Sequence, residues 1–323
     1  MLALVFDGKV RLKKDYPQPR PTSLEALVAV SRAGVCRTDL EILKGYMRFE
    51  GVLGHEFTGV VIEGPRKWKG KRVVADIASP CRHCDMCKSH QPRHCRERRA
   101  LGIHGMDGAF AEYLKVPVDS LHEVPSGMSE DEAVFAEPLA AALQVAEQVP
   151  ILPTSRMAVL GDGRLGLLTS MALRQRPAEM LLVGKHQDKL DLAARGSVWS
   201  ISVNDFKPQK DFDIVVDTTG DPEGFKLAMA AVKPRGTIVL KSTSTAVGEL
   251  NLSSLVVDEV TVVGSRCGPL DKALELLASG TLDVRSLITS RFPLKEGLKA
   301  LAAAQSPESV KVLIDVAPGE HPR

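Results

Sequence analysis

The segment Arg156-Met157-Ala158-Val159-Leu160-Gly161-Asp162-Gly163-Arg164-Leu165-Gly166 runs from a short apolar strand into glycines spaced Gly-x-Gly-x-x-Gly. Such a pattern says little alone; its setting makes it informative. A helical stretch follows and is halted near Pro177, and a second strand, Met180-Leu181-Leu182-Val183, arrives about 20 residues on. Glycines let the backbone come close to a pyrophosphate, whose charge the N–H groups and dipole of the new helix stabilise. Further apolar runs at 213–217, 236–240 and 260–263 alternate with helical patterns near 188–195 and 222–232. This order predicts an α/β fold with a doubly wound parallel sheet covered on both faces. Gly161, Gly163, Arg164, Leu165 and Gly166 are the expected cofactor-binding residues, together with Gly184, Lys185 and His186 after the second strand and Thr218 after the third.

The end of the second strand bears on which cofactor is taken. An Asp or Glu there would bind the ribose 2′-hydroxyl of NAD. The chain reads Val183-Gly184-Lys185-His186, with no carboxylate to repel a 2′-phosphate and a cation to bind one. NADP is therefore the expected preference, with NAD as the alternative should Asp188 fold back toward the ribose.

Outward from this segment the composition is ordinary. The chain has 323 residues, which suggests about two domains. Hydrophobic residues make up 44% and charged residues 25%, and the net charge is +2, so bulk electrostatics names no polyanionic partner. No apolar run approaches the roughly 18 residues of a spanning helix. The N-terminal residues read as a strand and turn rather than a signal peptide, so a cytoplasmic protein is expected, with no membrane partner. Residues 1–62 look β-rich, Gly34 is read as a tight turn, and Ser129 with Glu132 forms a capping-box pattern for a helix reaching about 149. After about 278 the pattern changes again, through a helix near 295–304, a strand at 310–316 and a polar tail at 317–323.

Two groups of residues carry metal chemistry. Cys81-x2-Cys84-x2-Cys87-x7-Cys95 places four of the six cysteines in one polar loop, able to close a tetrahedral shell around a structural zinc. Disulfides, an iron–sulfur cluster, or substitution by His83, His90 or His94 are the alternatives weighed. Arg93, Arg96, Arg98 and Arg99 follow without interleaved aromatics, which reads as a solvated face, not a nucleic-acid surface. The second group is dispersed: Cys36 in Gly34-Val35-Cys36-Arg37-Thr38-Asp39, His55 and Glu56 in Gly54-His55-Glu56, and Glu137 in Ala136-Glu137-Pro138-Leu139. Thiolate, imidazole and carboxylate with an open position form the donor mixture of a catalytic zinc.

In this order, with Gly108-Ala109-Phe110-Ala111-Glu112-Tyr113, these motifs resemble the zinc-containing medium-chain dehydrogenase/reductase family of alcohol, sorbitol, threonine and sugar dehydrogenases, over almost the whole chain. The resemblance implies a GroES-like catalytic domain at 1–145 and 278–323, with its structural zinc lobe at 81–95, around a Rossmann domain at 146–277. It implies two zinc ions per chain, one catalytic and one structural, and reversible hydride transfer between NADP and an alcohol, polyol or sugar. It further implies a homodimer or homotetramer with the last Rossmann strand as the contact edge. Cys36, His55, Glu56 and Glu137 then supply the catalytic zinc ligands, with the two glutamates undecided between them. Thr38 matches the hydroxyl that passes the substrate proton on, Asp39 the carboxylate that orients the ligand histidine, and Arg37 a pyrophosphate contact. Glu41 stands where some relatives finish the proton relay with histidine. The competing readings are a zinc-independent NADPH reductase and a nucleotide-binding regulator without turnover.

Overall fold

The computed structural model describes residues 1–243, 248 and 251–316; the tail read at 317–323 lies outside them. The chain forms two compact units. One comprises Met1–Glu137, Ala273–Gly280 and the described residues from Ile288 on, and the other Pro138–Lys272 with Thr281–Leu287.

The first unit is built on a seven-stranded sheet. Its order is Leu121–Glu123, Arg72–Ala75, Glu56–Glu63, Glu25–Gly34, Lys311–Asp315 and Ile288–Pro293, with Tyr113–Pro117 also pairing on Glu25–Gly34. The apolar residues of these strands pack with Leu4, Leu53 and Phe110 into one core. Gly34 corrects the sequence reading. It is the last residue of an extended strand, not a turn, paired with Glu56 on one side and Leu313 on the other. A Cβ there would lie 2.5 Å from Lys311 Nζ and 2.6 Å from Glu56 Oε2, so glycine is required by close packing.

The helix foreseen from Ser129 is two helices. Its capping box forms, with Ser129 N donating to Glu132 Oε2 at 2.9 Å and Glu132 N to Ser129 Oγ at 3.3 Å. Yet the first helix is the single turn Glu130–Ala133, and a second, Ala136–Gln148, starts afresh. Pro138 explains the break. A continuous helix would drive its ring into the Val134 carbonyl, whereas a restart at Ala136 leaves it in the first turn, where no N–H is needed.

The second unit carries a six-stranded parallel sheet. Its order is Trp199–Ser202, Glu179–Gly184, Arg156–Leu160, Phe212–Asp217, Val232–Leu240 and Thr261–Gly264. In chain order this is 3-2-1-4-5-6, the Rossmann arrangement. Trp199–Ser202 was not foreseen. It is a four-residue edge strand with an exposed tryptophan, too short and too polar to show a period. No helix among the described residues is long and apolar enough to cross a membrane.

Candidate active site and nucleotide loop

Three strand and helix ends of the first unit meet at the dispersed group of candidate metal ligands. Cys36 is the N-cap of helix Arg37–Leu43, and its N–H donates to Asp39 Oδ2 at 2.8 Å. Gly54, at φ +95°, bends the chain against the Phe110 ring and delivers His55 and Glu56 to the start of strand Glu56–Glu63. The donor atoms of Cys36, His55 and Glu56 all lie within 4.8 Å of one another. His55 and Glu56 are fully buried, and Asp39 Oδ1 faces His55 Nδ1 at 3.4 Å. Burial alone would push the His55 imidazole down, but the charges of Asp39 and Cys36 outweigh it and hold it well above its ordinary value. Asp39 Oδ1, His55 Nδ1 and Glu56 Oε1 are buried without a hydrogen-bond partner.

Buried polar atoms in that state are costly unless something satisfies them. Asp39 Oδ1 and His55 Nδ1 face each other, whereas a divalent cation between a thiolate, an imidazole and a carboxylate oxygen would satisfy Glu56, and the donor set suits zinc. Thr38 Oγ1 lies 3.7 Å from Cys36 Sγ. Glu137, half-buried in the first turn of helix Ala136–Gln148, is not part of the three-residue group. Arg37 is turned onto its own helix, where Arg37 Nε and Lys44 Nζ each donate to Glu41 Oε1 at 3.0 Å. Burial would raise Glu41, yet these two cations hold its carboxyl below the usual range, which makes it a poor proton acceptor.

One residue of this site escaped the sequence reading. Lys311, on the final strand, forms an ion pair with Glu56 Oε2, and each side chain is only 1% exposed. The signal that could have found it is a lysine inside the apolar run Val310-Lys311-Val312-Leu313-Ile314.

In the lobe, the sulfurs of Cys81, Cys84, Cys87 and Cys95 also lie within 4.8 Å of one another, and all four are free thiols. Cys84 Sγ and Cys95 Sγ are 3.8 Å apart, much farther than a disulfide. Backbone N–H groups of Arg96 and Cys87 pull the Cys84 thiol down to about 6. His83 and Glu97 approach Cys81 from the exposed side, whereas His90 and His94 join no such group among the described residues. The arginines are engaged locally: Arg96 pairs with Asp85 at 2.6 Å, and Arg98 donates to the Arg93 carbonyl at 3.1 Å.

In the second unit, Gly161 adopts φ +104°, and a Cβ on Gly166 would sit 1.8 Å from the Gly161 carbonyl oxygen. Gly163, the N-cap of helix Arg164–Leu173, faces open space, so a phosphate can approach the helix end. The Thr218 hydroxyl donates to the Leu160 carbonyl at 2.7 Å and braces the loop. Asp162, passed over in the sequence as a variable position, accepts from the N–H groups of Lys185 and His186, both at 2.6 Å. It also contacts His186 Nδ1 at 3.0 Å. A Cβ on Gly184 would fall 2.6 Å from Asp162 Oδ2, so Asp162 fills the space that a side chain at Gly184 would need. Lys185 is exposed beside it.

A β-rich unit bearing a thiol–imidazole–carboxylate group and, in the same chain, a Rossmann unit with an open glycine loop define a nucleotide-linked oxidoreductase of the medium-chain class. Residues 22–126 match the alcohol dehydrogenase GroES-like domain, and residues 129–316 match the glucose dehydrogenase C-terminus. The chain belongs to the zinc-type medium-chain dehydrogenase family. It is 26% identical over 333 residues to a sorbitol dehydrogenase of Bombyx mori, covering 95% of each chain. It is 29% identical over 332 residues to an erythritol/L-threitol dehydrogenase of Mycolicibacterium smegmatis, covering 92% of this chain and 91% of that one. Among solved structures it superposes with a TM-score of 0.88, at 28% identity, on a Sinorhizobium meliloti 1021 protein assigned as a zinc-binding dehydrogenase and crystallised with NADP. That match covers 98% of this chain and 99% of the other. An alcohol dehydrogenase from Thermus sp. ATN1 gives a TM-score of 0.87 at 28% identity, covering 98% and 100%.

Proposed function

We propose that this protein is an oxidoreductase acting on hydroxyl groups, a zinc-dependent cytoplasmic dehydrogenase that moves hydride reversibly between NADP and an alcohol, polyol or sugar. The observation that carries this reading is the buried group of Cys36, His55 and Glu56, with one carboxylate oxygen left without a partner. Those three residues would hold the ion. When bound, zinc supplies Lewis-acid stabilisation to the substrate oxygen as charge develops there.

The protein's own residues do the remainder. Asp39 fixes the orientation of the His55 ring, as carboxylates behind ligand histidines do. Thr38, beside Cys36, takes the hydroxyl proton and passes it on, and Glu41, tied by Arg37 and Lys44, leaves that route to solvent. The cysteine lobe takes the second zinc. In the Rossmann unit, Gly161, Gly163 and Gly166 admit the pyrophosphate, with the helix end at Arg164 stabilising its charge. Lys185 and His186 read the 2′-phosphate, supported by the absence of a carboxylate at Gly184 and by the inward turn of Asp162.

Metal analysis with a Cys36→Ser variant tests the proposal. Two zinc ions per wild-type chain, one in the variant, and loss of turnover with an unchanged far-UV circular dichroism spectrum are expected. Undiminished turnover in Cys36→Ser overturns the mechanism. The cofactor reading rests separately on kinetics: Lys185→Glu should lower kcat/KM with NADP by about tenfold or more while sparing NAD, in keeping with ~1–3 kcal/mol for a charge-assisted contact. A wild-type preference for NAD contradicts it.

A further inference from the structure

We infer that Asp162 is a positioning residue for the 2′-phosphate of NADP, holding the His186 ring by Nδ1 so that Nε2 is the nitrogen left to donate to the phosphate. This rests on the NADP reading above. The sheet brings these residues together. Arg156–Leu160 and Glu179–Gly184 are parallel neighbours with Leu160 opposite Val183, so the glycine loop leaving one strand meets the segment leaving the other. The Gly161 N–H donates to the Val183 carbonyl at 2.8 Å and carries that register into the turn. Asp162, the next residue, therefore meets Gly184, Lys185 and His186. Gly184 gives the carboxylate its room, since a Cβ there would fall 2.6 Å from Asp162 Oδ2 and 2.7 Å from its Cβ.

Asp162 is buried, and protein donors occupy both of its oxygens. Oδ2 accepts from the N–H groups of Lys185 and His186, both at 2.6 Å, while His186 Nδ1 contacts Oδ1 at 3.0 Å and Oδ2 at 3.1 Å. A carboxylate committed in this way has no oxygen to offer a ribose hydroxyl, unlike the strand-end carboxylate that selects NAD. Because a carboxylate only accepts, Nδ1 carries the ring hydrogen, and Nε2 has no partner among the described residues. His186 is also the N-cap of helix Gln187–Arg195, yet its side chain makes no cap bond, the ring being given to Asp162. Donation from Nε2 to a phosphate oxygen then needs a second ring proton, which solvent supplies. The charged groups around the ring are Asp162 in contact with it and exposed Lys185 before it. Asp188 stands in the first turn of its helix, and Arg164 opens the helix after the glycine loop. NADP binding is thereby coupled to proton uptake at His186, whereas NAD, which lacks the phosphate, is not.

Fluorescence titrations with NADPH and NADH test this without turnover, on wild type, Asp162→Asn, His186→Gln and the double variant Asp162→Asn/His186→Gln. Each single variant should weaken NADPH binding by about tenfold to a hundredfold, the worth of one charge-assisted hydrogen bond, and leave NADH binding unchanged. The double variant should bind NADPH no more weakly than His186→Gln, because Asp162 acts through His186. Between about pH 7 and 9, where the 2′-phosphate is already largely dianionic, wild-type affinity for NADPH should fall as pH rises while that for NADH holds. His186→Gln should abolish that fall. Equal losses of NADPH and NADH in Asp162→Asn, the mark of a merely structural brace, overturn the inference, as do additive losses or a pH slope that persists in His186→Gln. Should Asp162→Asn fail to fold, His186→Gln with its pH profile carries the test, and wild-type NADPH affinity in that variant is the contrary result. A wild-type preference for NADH defeats the NADP reading itself, whereas an NADPH preference that survives both substitutions defeats only the role given to Asp162 and His186.

Discussion

Asp162 illustrates how much one side chain contributes without touching a reaction. Its burial would raise its pKa, but the N–H groups of Lys185 and His186 and the His186 ring more than offset this and hold the carboxyl below its ordinary 3.8. A carboxylate with a lower pKa folded than unfolded stabilises the fold above the unfolded value, and that contribution disappears as pH falls through the folded one. Asp162→Asn should therefore cost ~1–3 kcal/mol near neutrality, a gap that narrows as the pH is lowered below about 4. Urea midpoints at both pH values check this, and an equal gap at each contradicts it. At this scale the sequence was uneven as a guide. Cys36 and His55 were legible because their donor chemistry is rare and local glycines flag it. The roles of Gly34 and Lys311 were not, because they depend on pairing across three strands, with Lys311 and Glu56 separated by 255 positions.

Among elements, the cysteine lobe is the one whose order would depend most on the proposed structural zinc. It holds one-turn helices, Asp85–Lys88 and Pro92–His94, and a few ion pairs at its surface, but little apolar burial beyond Cys95. Such a loop takes its order chiefly from the metal that its thiolates bind. Cys95→Ser, or a chelator strong enough to empty the lobe, should expose Arg93, Arg96, Arg98 and Arg99 to trypsin while the Rossmann unit resists. Cleavage kinetics read by mass spectrometry check this; an unaltered cleavage pattern in metal-free protein contradicts it. The lobe was readable from spacing alone because its ligands are neighbours in sequence. The break before Helix Ala136–Gln148 was less so: the capping box and alanines at its ends point to one helix, and only the position of Pro138 relative to the Val134 carbonyl divides it.

On the scale of the whole molecule, the doubly wound sheet leaves a question at its edge. Thr261–Gly264 is an edge strand, and near it in sequence Val256 and Val257 are 75% and 80% exposed, with Leu252 and Val262 also open. Among the described residues nothing pairs with the outer side of this strand, and an edge of that kind near exposed apolar residues is where the proposed second copy would pair. Val257→Lys should shift the protein toward monomer in sedimentation velocity, and an unchanged distribution argues against this edge as the interface. The strand order was largely legible because alternating strands and helices admit few topologies. The edge strand Trp199–Ser202 was hidden by its length. What joins these scales is the proposed hydride transfer supported by a metal at Cys36, His55 and Glu56. Its most direct measurement follows NADPH formation from a panel of alcohols, polyols and sugars, first with zinc-loaded protein, then with that site emptied, then with zinc restored. Turnover of at least one substrate, lost and regained with the metal, is the predicted result; turnover that persists with the site empty would contradict it.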